Sequence, residues 1–552
     1  MLKLFGGGAD HPMSNPKEAR RILDALPAED LKALEELAHW LESVSVLEGF
    51  KPPERAALLC AIDDAAQPRL RKVAREYAGA ARPSRYQENR MWTQLHEYWR
   101  QAGLAFGRAL DAAGQAPKAL EPKSLALAVT RALRAAAQQI KWQHMRYGPV
   151  DPSAWGILNK VYAFSEGRGF ADGKLALYPT AGSETSPRQE FLKALLFSAS
   201  SPDSLLAPEV ELAERVIGEL APSFLLANAP GAGLLYWTDL ARAMAPQRIV
   251  KPPEASAGLR CFGPGNALVS LQSMIQRIEG TREVPPSLGT PQDPEAALDV
   301  LRHLATLWSP EPPERKSARH SVKSRLAIAH GLAGALQAVT EAGASLDFDQ
   351  RSTESWVVEN VSAGGFGAIV PQVKTDWLRV GVLLAMQPDG GNNWVVGAIR
   401  RVNRTSAQEA RVGIETLSRA PKAVKFRIRG LGEETGLLLP SAVLGSGEVA
   451  VALRAGVYPP GQNLEATIDG REHVYLPLAA TVAAERSDAN RDLPIFMAHG
   501  QYDDLIPMQR ARASREHLEK LGYKIEWHDY PMPHSVCAPE IADISAFLGK
   551  VL

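Results

Sequence analysis

Apolar residues recur at helical spacing through the first two hundred or so residues. Leu31, Leu34, Leu37, Ala38 and Leu41 fall on one face of a 3.6-residue period, and Trp92, Leu95, Trp99, Phe106 and Leu110 repeat it, as do Trp155, Leu158 and Tyr162. Asn15-Pro16-Lys17-Glu18 sets a capping residue, a proline at the first helical position and a glutamate three residues after the cap, which predicts a helix start. Pro52-Pro53, Ala81-Arg82-Pro83-Ser84 and Gly148-Pro149-Val150-Asp151-Pro152 interrupt the stripes and predict turns between antiparallel helices. No fixed repeat period runs through them, so the expectation for residues 1–222 is a loose helical array whose aromatic residues form core.

The pattern then changes. Phe224 to Asn228 and Gly233 to Trp237 are short apolar runs flanking Ala229-Pro230-Gly231, a hairpin signal that predicts a small β insert in a mixed segment, 223–313. Helical spacing returns at Leu298, Leu301, Leu304 and Leu307, and the cluster Ser309-Pro310-Glu311-Pro312-Pro313 marks a domain boundary. Beyond it Trp356 to Val358, Gly367 to Val370, Trp394 to Ile399 and Arg411 to Ile414 are short, β-branched and punctuated by glycine, so residues 314–420 read as a β-barrel or sandwich. Residues 421–474 form a second β-rich stretch, with turns at Gly430-Leu431-Gly432, Gly445-Ser446-Gly447 and Pro459-Pro460-Gly461. Residues 475–552 alternate strand, helix, strand, helix. The fold class expected is therefore multidomain α+β, with a helical array, a barrel, a small β-domain and a C-terminal βαβα unit.

Composition narrows the function. At 552 residues, with 45% hydrophobic and 22% charged, the chain has enough apolar material for several cored domains. Lys plus Arg and Asp plus Glu both total 62, so no global field draws it to nucleic acid or an anionic membrane, and any anion site must be local. Cys60, Cys261 and Cys537 form no metal-ligand spacing, so no metal is expected and a reducing cytoplasm fits. The apolar run at Met1 to Phe5 is too short for a secretory signal, and no stretch of about eighteen uncharged apolar residues predicts a membrane span.

Arg315-Lys316-Ser317-Ala318-Arg319 opens the β region, and Asn360-Val361-Ser362-Ala363-Gly364-Gly365 ends the strand that carries Trp356. A guanidinium presents a planar fork of donors that matches a phosphate or the O6 and N7 edge of guanine, and its face stacks on purines. Asn360 and Ser362 supply short polar groups, and Gly364 and Gly365 allow close approach of a ligand to backbone. The Arg-x-x-x-Arg spacing alone is unspecific, since Arg71 and Arg75, and Arg400 and Arg404, show it too. Taken in order on a β background, the two motifs resemble the PilZ domain. The resemblance spans roughly Glu314 to Leu417 and implies a PilZ-like barrel in a bacterial signalling receptor, with cyclic di-GMP held by Arg315, Arg319, Asn360, Ser362 and Gly365. The separation of Arg319 from Asn360 exceeds what a compact barrel needs, so an insertion is predicted around Gly331 to Gln350.

The final segment carries a different chemistry. Asp492 to Gly500 is an apolar strand entering a turn, Asp503-Asp504-Leu505-Ile506-Pro507 sits at its mouth, and Tyr530-Pro531-Met532-Pro533-His534-Ser535 precedes the terminal helix. This resembles the end of the carboxylesterase and lysophospholipase branch of the α/β-hydrolases, which implies that Asp503 is the triad acid and His534 the general base. No Gly-x-Ser-x-Gly elbow stands anywhere in the chain, so the nucleophile is missing. The change of pattern at Val474-Tyr475-Leu476-Pro477 reads as a join, by gene fusion, recombination or an assembly error.

Three functions follow from these readings. The first is a cytoplasmic cyclic di-GMP receptor that acts on an unknown protein partner through its helical region and carries a hydrolase fragment without a nucleophile. The second is a carboxylesterase for short acyl esters in which Asp503 and His534 work with an unrecognised serine or one from a second chain. The third is a helical interaction scaffold with a ligand-free barrel.

Overall fold

The computed structural model of the chain describes residues 9–79, 84–115, 120–179, 183–289, 293–311, 318–341, 354–373, 377–391, 393–406, 408–428, 432–440, 449–458, 462–468, 470–475, 495–503, 508–520, 523–533 and 535–551. Helix α1 (Pro16–Asp24) starts where the Asn15 side chain accepts from the Lys17 amide at 2.9 Å. It is followed by α2 (Asp30–Val46), α3 (Pro52–Ala78), α4 (Arg85–Gln115), α5 (Pro122–His144) and α6 (Pro152–Gly167). The apolar stripes face inward. Leu34, Leu37, Ala38 and Leu41 of α2 are buried, as are Leu95, Trp99, Phe106 and Leu110 of α4 and Trp155, Leu158 and Tyr162 of α6. Helix α5 is buried on nearly every side, its polar Thr130, Arg131, Gln139, Lys141 and Gln143 included, and it packs against α4, α6 and α7 (Pro187–Ala199) as the central rod of the array.

A two-stranded ribbon, β1 (Leu175–Ala176) with β2 (Glu184–Thr185), precedes α7, and α8 (Ala207–Leu220) follows it. Then come β3 (Leu225–Ala227), β4 (Tyr236–Asp239), β5 (Gln247–Arg248) and β6 (Leu259–Gly263), an antiparallel sheet in the order β3-β6-β4-β5. The two runs expected to pair as a hairpin are both strands, but they do not pair with each other: β6 lies between them. Every residue of β6 is buried, so this strand takes the central position and draws a partner on each edge. Helices α9 (Ala267–Thr281) and α10 (Pro294–Trp308) complete this part. Trp308 closes α10 fully buried, its indole N–H donating to Ser200 Oγ at 3.0 Å.

Next along the chain are β7 (His320–His330), α11 (Gly331–Glu341), β8 (Glu354–Ser362), β9 (Gly365–Val370), β10 (Leu383–Pro388), β11 (Val395–Arg404) and β12 (Ala410–Ser418). The six strands close into a barrel in the order β10-β11-β12-β9-β8-β7. Helix α11 occupies the first part of the predicted insertion, and residues 342–353 lie outside the described residues. Then β13 (Lys422–Ile428), β14 (Gly432–Pro440), β15 (Val449–Ala452), β16 (Leu464–Ile468) and β17 (Arg471–Tyr475) form an antiparallel sheet in the order β15-β14-β13-β16-β17. Its core gathers Val424, Phe426, Ile428, Leu438, Leu464 and Ala466. The C-terminal segment contributes β18 (Ile495–Gly500), α12 (Met508–Lys520), β19 (Ile525–Tyr530) and α13 (Ala538–Val551), with β18 and β19 paired in parallel.

Contacts divide the chain into two compact units: Met1–Ala327 with Glu354–Val382 and Gly397–Thr416, and Ile328–Thr353 with Leu383–Val396 and Leu417–Leu552. The first holds the helical array and the parts of the barrel that carry the candidate nucleotide site. In the second, α11 packs on β10, β13 and β14. No helix among the described residues is long and apolar enough to cross a membrane.

Candidate functional site

The β8–β9 hairpin turns on Ala363 and Gly364, with Ser362 opposite Gly365 and Asn360 opposite Gly367. The register slips between Val358 and Asn360, so Glu359 is an extra residue, a bulge that re-aims the strand end. Asn360 lays its amide over Gly367, where a Cβ would sit 2.7 Å from both Nδ2 and Oδ1. Ser362 Oγ donates to the Gly365 carbonyl at 3.4 Å, and the Thr416 amide donates to the Gly364 carbonyl at 2.9 Å. A Cβ on Gly365 would collide with the carbonyl oxygen of Ile414 in β12, so only glycine lets the hairpin seat against that strand. Asn360, Ser362 and Gly365 are thus gathered at one end of one hairpin.

Arg319 is exposed, one residue before β7. Ser321 Oγ donates to the Glu359 carbonyl and Arg325 donates to Ser355 Oγ, each at 3.4 Å. These two contacts lie four residues apart on β7 and four on β8, in opposite directions, so the start of β7 runs beside the end of β8 that leads into the hairpin. Arg315 lies outside the described residues. Sequence reasoning missed Arg411 of β12, whose guanidinium is 3.5 Å from the Glu359 carboxylate at the bulge. Arg411 was legible as part of a strand, but nothing local marked its charge as reaching the bulge. Among the described residues, no group of three His, Cys, Asp or Glu could hold a metal ion.

In the C-terminal segment, β18 delivers Asp503 to the carboxyl end of the parallel pair. The side chain of Asp503 is buried, with Oδ2 3.8 Å from His499 Nε2, and His499 Nδ1 lies 2.8 Å from the Gly500 carbonyl oxygen. The Gln501 amide donates to Tyr530 O at 2.7 Å and the Tyr502 amide to Met532 O at 3.1 Å, which knits the Asp503 turn to the loop after β19. A Cβ on Gly500 would fall 2.6 Å from the Pro533 carbonyl oxygen, so glycine here permits that close approach. His534 lies outside the described residues.

The barrel thus carries a glycine-built hairpin with an arginine just before its first strand, and the tail a parallel strand pair with Asp503 at its carboxyl end. Comparison with known proteins finds a family match at each end of the chain. Residues 17–230 match the family described as "Cyclic-di-GMP receptor FimW, N-terminal domain". Residues 473–552 match "Phospholipase/Carboxylesterase". The tail is also similar to acyl-protein thioesterase 1 of Gibberella zeae, at 41% identity over 81 residues, covering 14% of this chain and 34% of that protein. The thioesterase of Mycosarcoma maydis is 39% identical over 83 residues, covering 14% and 35%. That of Neurospora crassa is 32% identical over 81 residues, covering 14% and 33%. The chain therefore carries a FimW-type N-terminal domain and a carboxylesterase-like segment, and it spans about a third of the length of the thioesterases it matches. The barrel falls between the two matched ranges. The helical stripes gave no sign of the match at residues 17–230.

Proposed function

We propose that the protein is a cytoplasmic cyclic di-GMP receptor that takes the nucleotide at the hairpin end of its barrel and transmits binding to a protein partner through the helical array. The observation that carries this reading is the occurrence, in one chain, of a FimW-type N-terminal domain and a barrel whose Asn360-x-Ser362-x-x-Gly365 hairpin adjoins the strand entered from Arg319. Arg315 and Arg319 supply forked donors for phosphate or the guanine edge, and their planar faces stack on the bases. Asn360 and Ser362 offer polar groups at the hairpin end, and Gly365 keeps the backbone open to close approach. Binding that alters the array's preference for one partner geometry shifts partner affinity by linkage. In isothermal titration of the whole chain with cyclic di-GMP, Arg319→Ala is expected to weaken binding by about 1–3 kcal/mol, the usual worth of one bidentate pair. Unchanged affinity in both Arg315→Ala and Arg319→Ala, with the fold intact, sinks the site.

On the same reading the tail does not turn over substrate. Asp503 and His534 make an acid and base pair, but a base with no hydroxyl to activate leaves only residual catalysis. Hydrolysis of a short p-nitrophenyl ester by the whole chain is expected to equal that of its His534→Ala variant. Turnover abolished by that substitution would establish the esterase alternative and a nucleophile outside the Gly-x-Ser-x-Gly pattern.

A further inference from the structure

Away from the hairpin, three arginines from distant stretches of the first unit converge on one cavity of about 270 Å³. Its walls are the C-terminal end of α3 (Tyr77 to Gly79), Met145 to Tyr147 after α5, the start of α8, and the barrel residues Leu378, Arg379 and Arg404. Arg146, Arg379 and Arg404 face one carboxylate, Glu88, among the described lining residues. Arg379 lies 3.6 Å from Glu88, so that pair is close to neutral. Arg146 is oriented by neutral partners: it donates to Asn89 Oδ1 at 2.5 Å and lies 4.2 Å over the ring of Trp92. The described lining residues thus carry three guanidinium groups and one carboxylate, in a chain whose total charge is zero.

One residue ties together the backbone stretches that carry the three arginines. Tyr147 follows Arg146 directly, its hydroxyl accepts from the amide of Val380 at 3.1 Å, and its carbonyl accepts from the amide of Arg404 at 2.9 Å. It does this with a φ of 64°, a left-handed conformation that tyrosine rarely adopts and that persists only where the surroundings impose it. Nearby, Arg401 Nε lies 2.6 Å from the buried carboxylate of Asp203, a second tie between barrel and helical array. The backbone that carries the arginines is tied before any ligand arrives, which lowers the ordering cost of binding.

We propose that this cavity is a phosphate site, distinct from the hairpin, in which Arg146 and Arg404 grip the phosphate oxygens and Arg379 shares its charge between Glu88 and the ligand. The planar fork of arginine matches two phosphate oxygens at once. The volume lies just under the usual range for a drug-sized ligand, so the occupant is orthophosphate or a phosphoryl group carrying little else into the cavity. Because α3, α5, α8 and the barrel all line it, occupancy tightens the array against the barrel.

The test uses the whole chain and inorganic phosphate. Phosphate at fixed ionic strength is expected to raise Tm relative to chloride and to saturate in a titration. Arg404→Gln keeps the backbone bond to Tyr147 and is expected to lose phosphate affinity by about tenfold or more, the worth of a charge-assisted bond, as is Arg146→Met. Arg319→Ala is expected to leave phosphate affinity unchanged, so failure of this site and failure of the hairpin site read out separately. Competition between phosphate and cyclic di-GMP in the unaltered chain would make the dinucleotide's own phosphoryl group the occupant, and independent binding would make it a separate phosphate; both support the site. Equal phosphate affinity in the unaltered chain, Arg404→Gln and Arg146→Met overturns it, as does the lack of saturable binding. If either variant fails to fold, phenylglyoxal labelling of the unaltered chain decides: phosphate protects Arg146 and Arg404 from modification, and equal labelling with and without phosphate overturns the proposal.

Discussion

Arg131→Met is expected to cost the helical array about 3–5 kcal/mol, the usual consequence of removing one partner from a buried ion pair, and a large part of a typical domain's stability. Arg131 and Asp63 are each only 2% exposed in their side chains. The guanidinium donates to Asp63 Oδ2 at 3.2 Å, to Asp64 Oδ1 at 2.7 Å and to the carbonyls of Cys60 at 2.8 Å and Leu177 at 2.9 Å. Its planar face lies 4.7 Å from the ring of Tyr178. Asp63 is further held by the Tyr98 hydroxyl and the Gln67 amide, both at 2.9 Å. Burial already pushes the Asp63 carboxyl above its ordinary range, against the opposing pull of Arg131. Remove the guanidinium and that rise grows. A carboxyl raised in the folded state binds its proton more tightly there than in the unfolded chain, so the variant's deficit is small near the unfolded carboxylate value and widens as pH rises toward neutrality. Heat and urea melts across that pH window, with Arg131→Met and the double variant Asp63→Asn/Arg131→Met, provide the measurement. The double variant is expected to recover much of the loss at neutral pH. A single-variant loss under about 1 kcal/mol, with no pH trend, would mean that water reaches Asp63.

That pair also marks where sequence reading stops. The stripes of α2 and α4 were legible because each helix has one apolar face, and the residues on it are the buried ones. Helix α5 is surrounded, so Arg131 and Lys141 look like solvent-facing charges in sequence while both are buried and paired in the fold. The β insert was legible as strands but not in its order, because β6 carries no hairpin signal and pairs with both runs from a distance in sequence. The turn from Asn360 to Gly365 was legible because a tight turn makes local demands on residue type. Arg146, Arg379 and Arg404 were not, since their meeting depends on closing the barrel against the helices. Arg400-x-x-x-Arg404 has the same spacing as Arg315-x-x-x-Arg319, and only the fold separates its members: Arg400 pairs with Glu415 at 2.6 Å, while Arg404 lines the cavity.

The amides of β18 and β19 are expected to exchange with deuterium at least about a hundredfold faster than those of β9 and β12, a gap of nearly 3 kcal/mol in local opening free energy. Parallel strands are ordinarily buried on both faces, yet among the described residues β18 and β19 have only each other, and Ile495, Phe496 and Met497 are not fully buried. Helix α13 leaves Ile541 55% and Leu548 44% exposed, two turns apart on one face, which is apolar surface of the kind a fuller sheet would cover. The matching segment covers about a third of the matched thioesterases' length. A unit this small buries too little surface to offset its conformational entropy with much margin, and its open edges invite pairing with other chains. Strands β9 and β12, by contrast, pair along six residues inside a closed barrel, where each has a neighbour on both sides. Exchange followed by mass spectrometry on the whole chain separates the two regions in one experiment. Equal protection in both would mean that another strand, from this chain or a second copy, completes the tail. Dilution would then tell which, since protection supplied by a second copy falls with protein concentration and protection from within the chain does not.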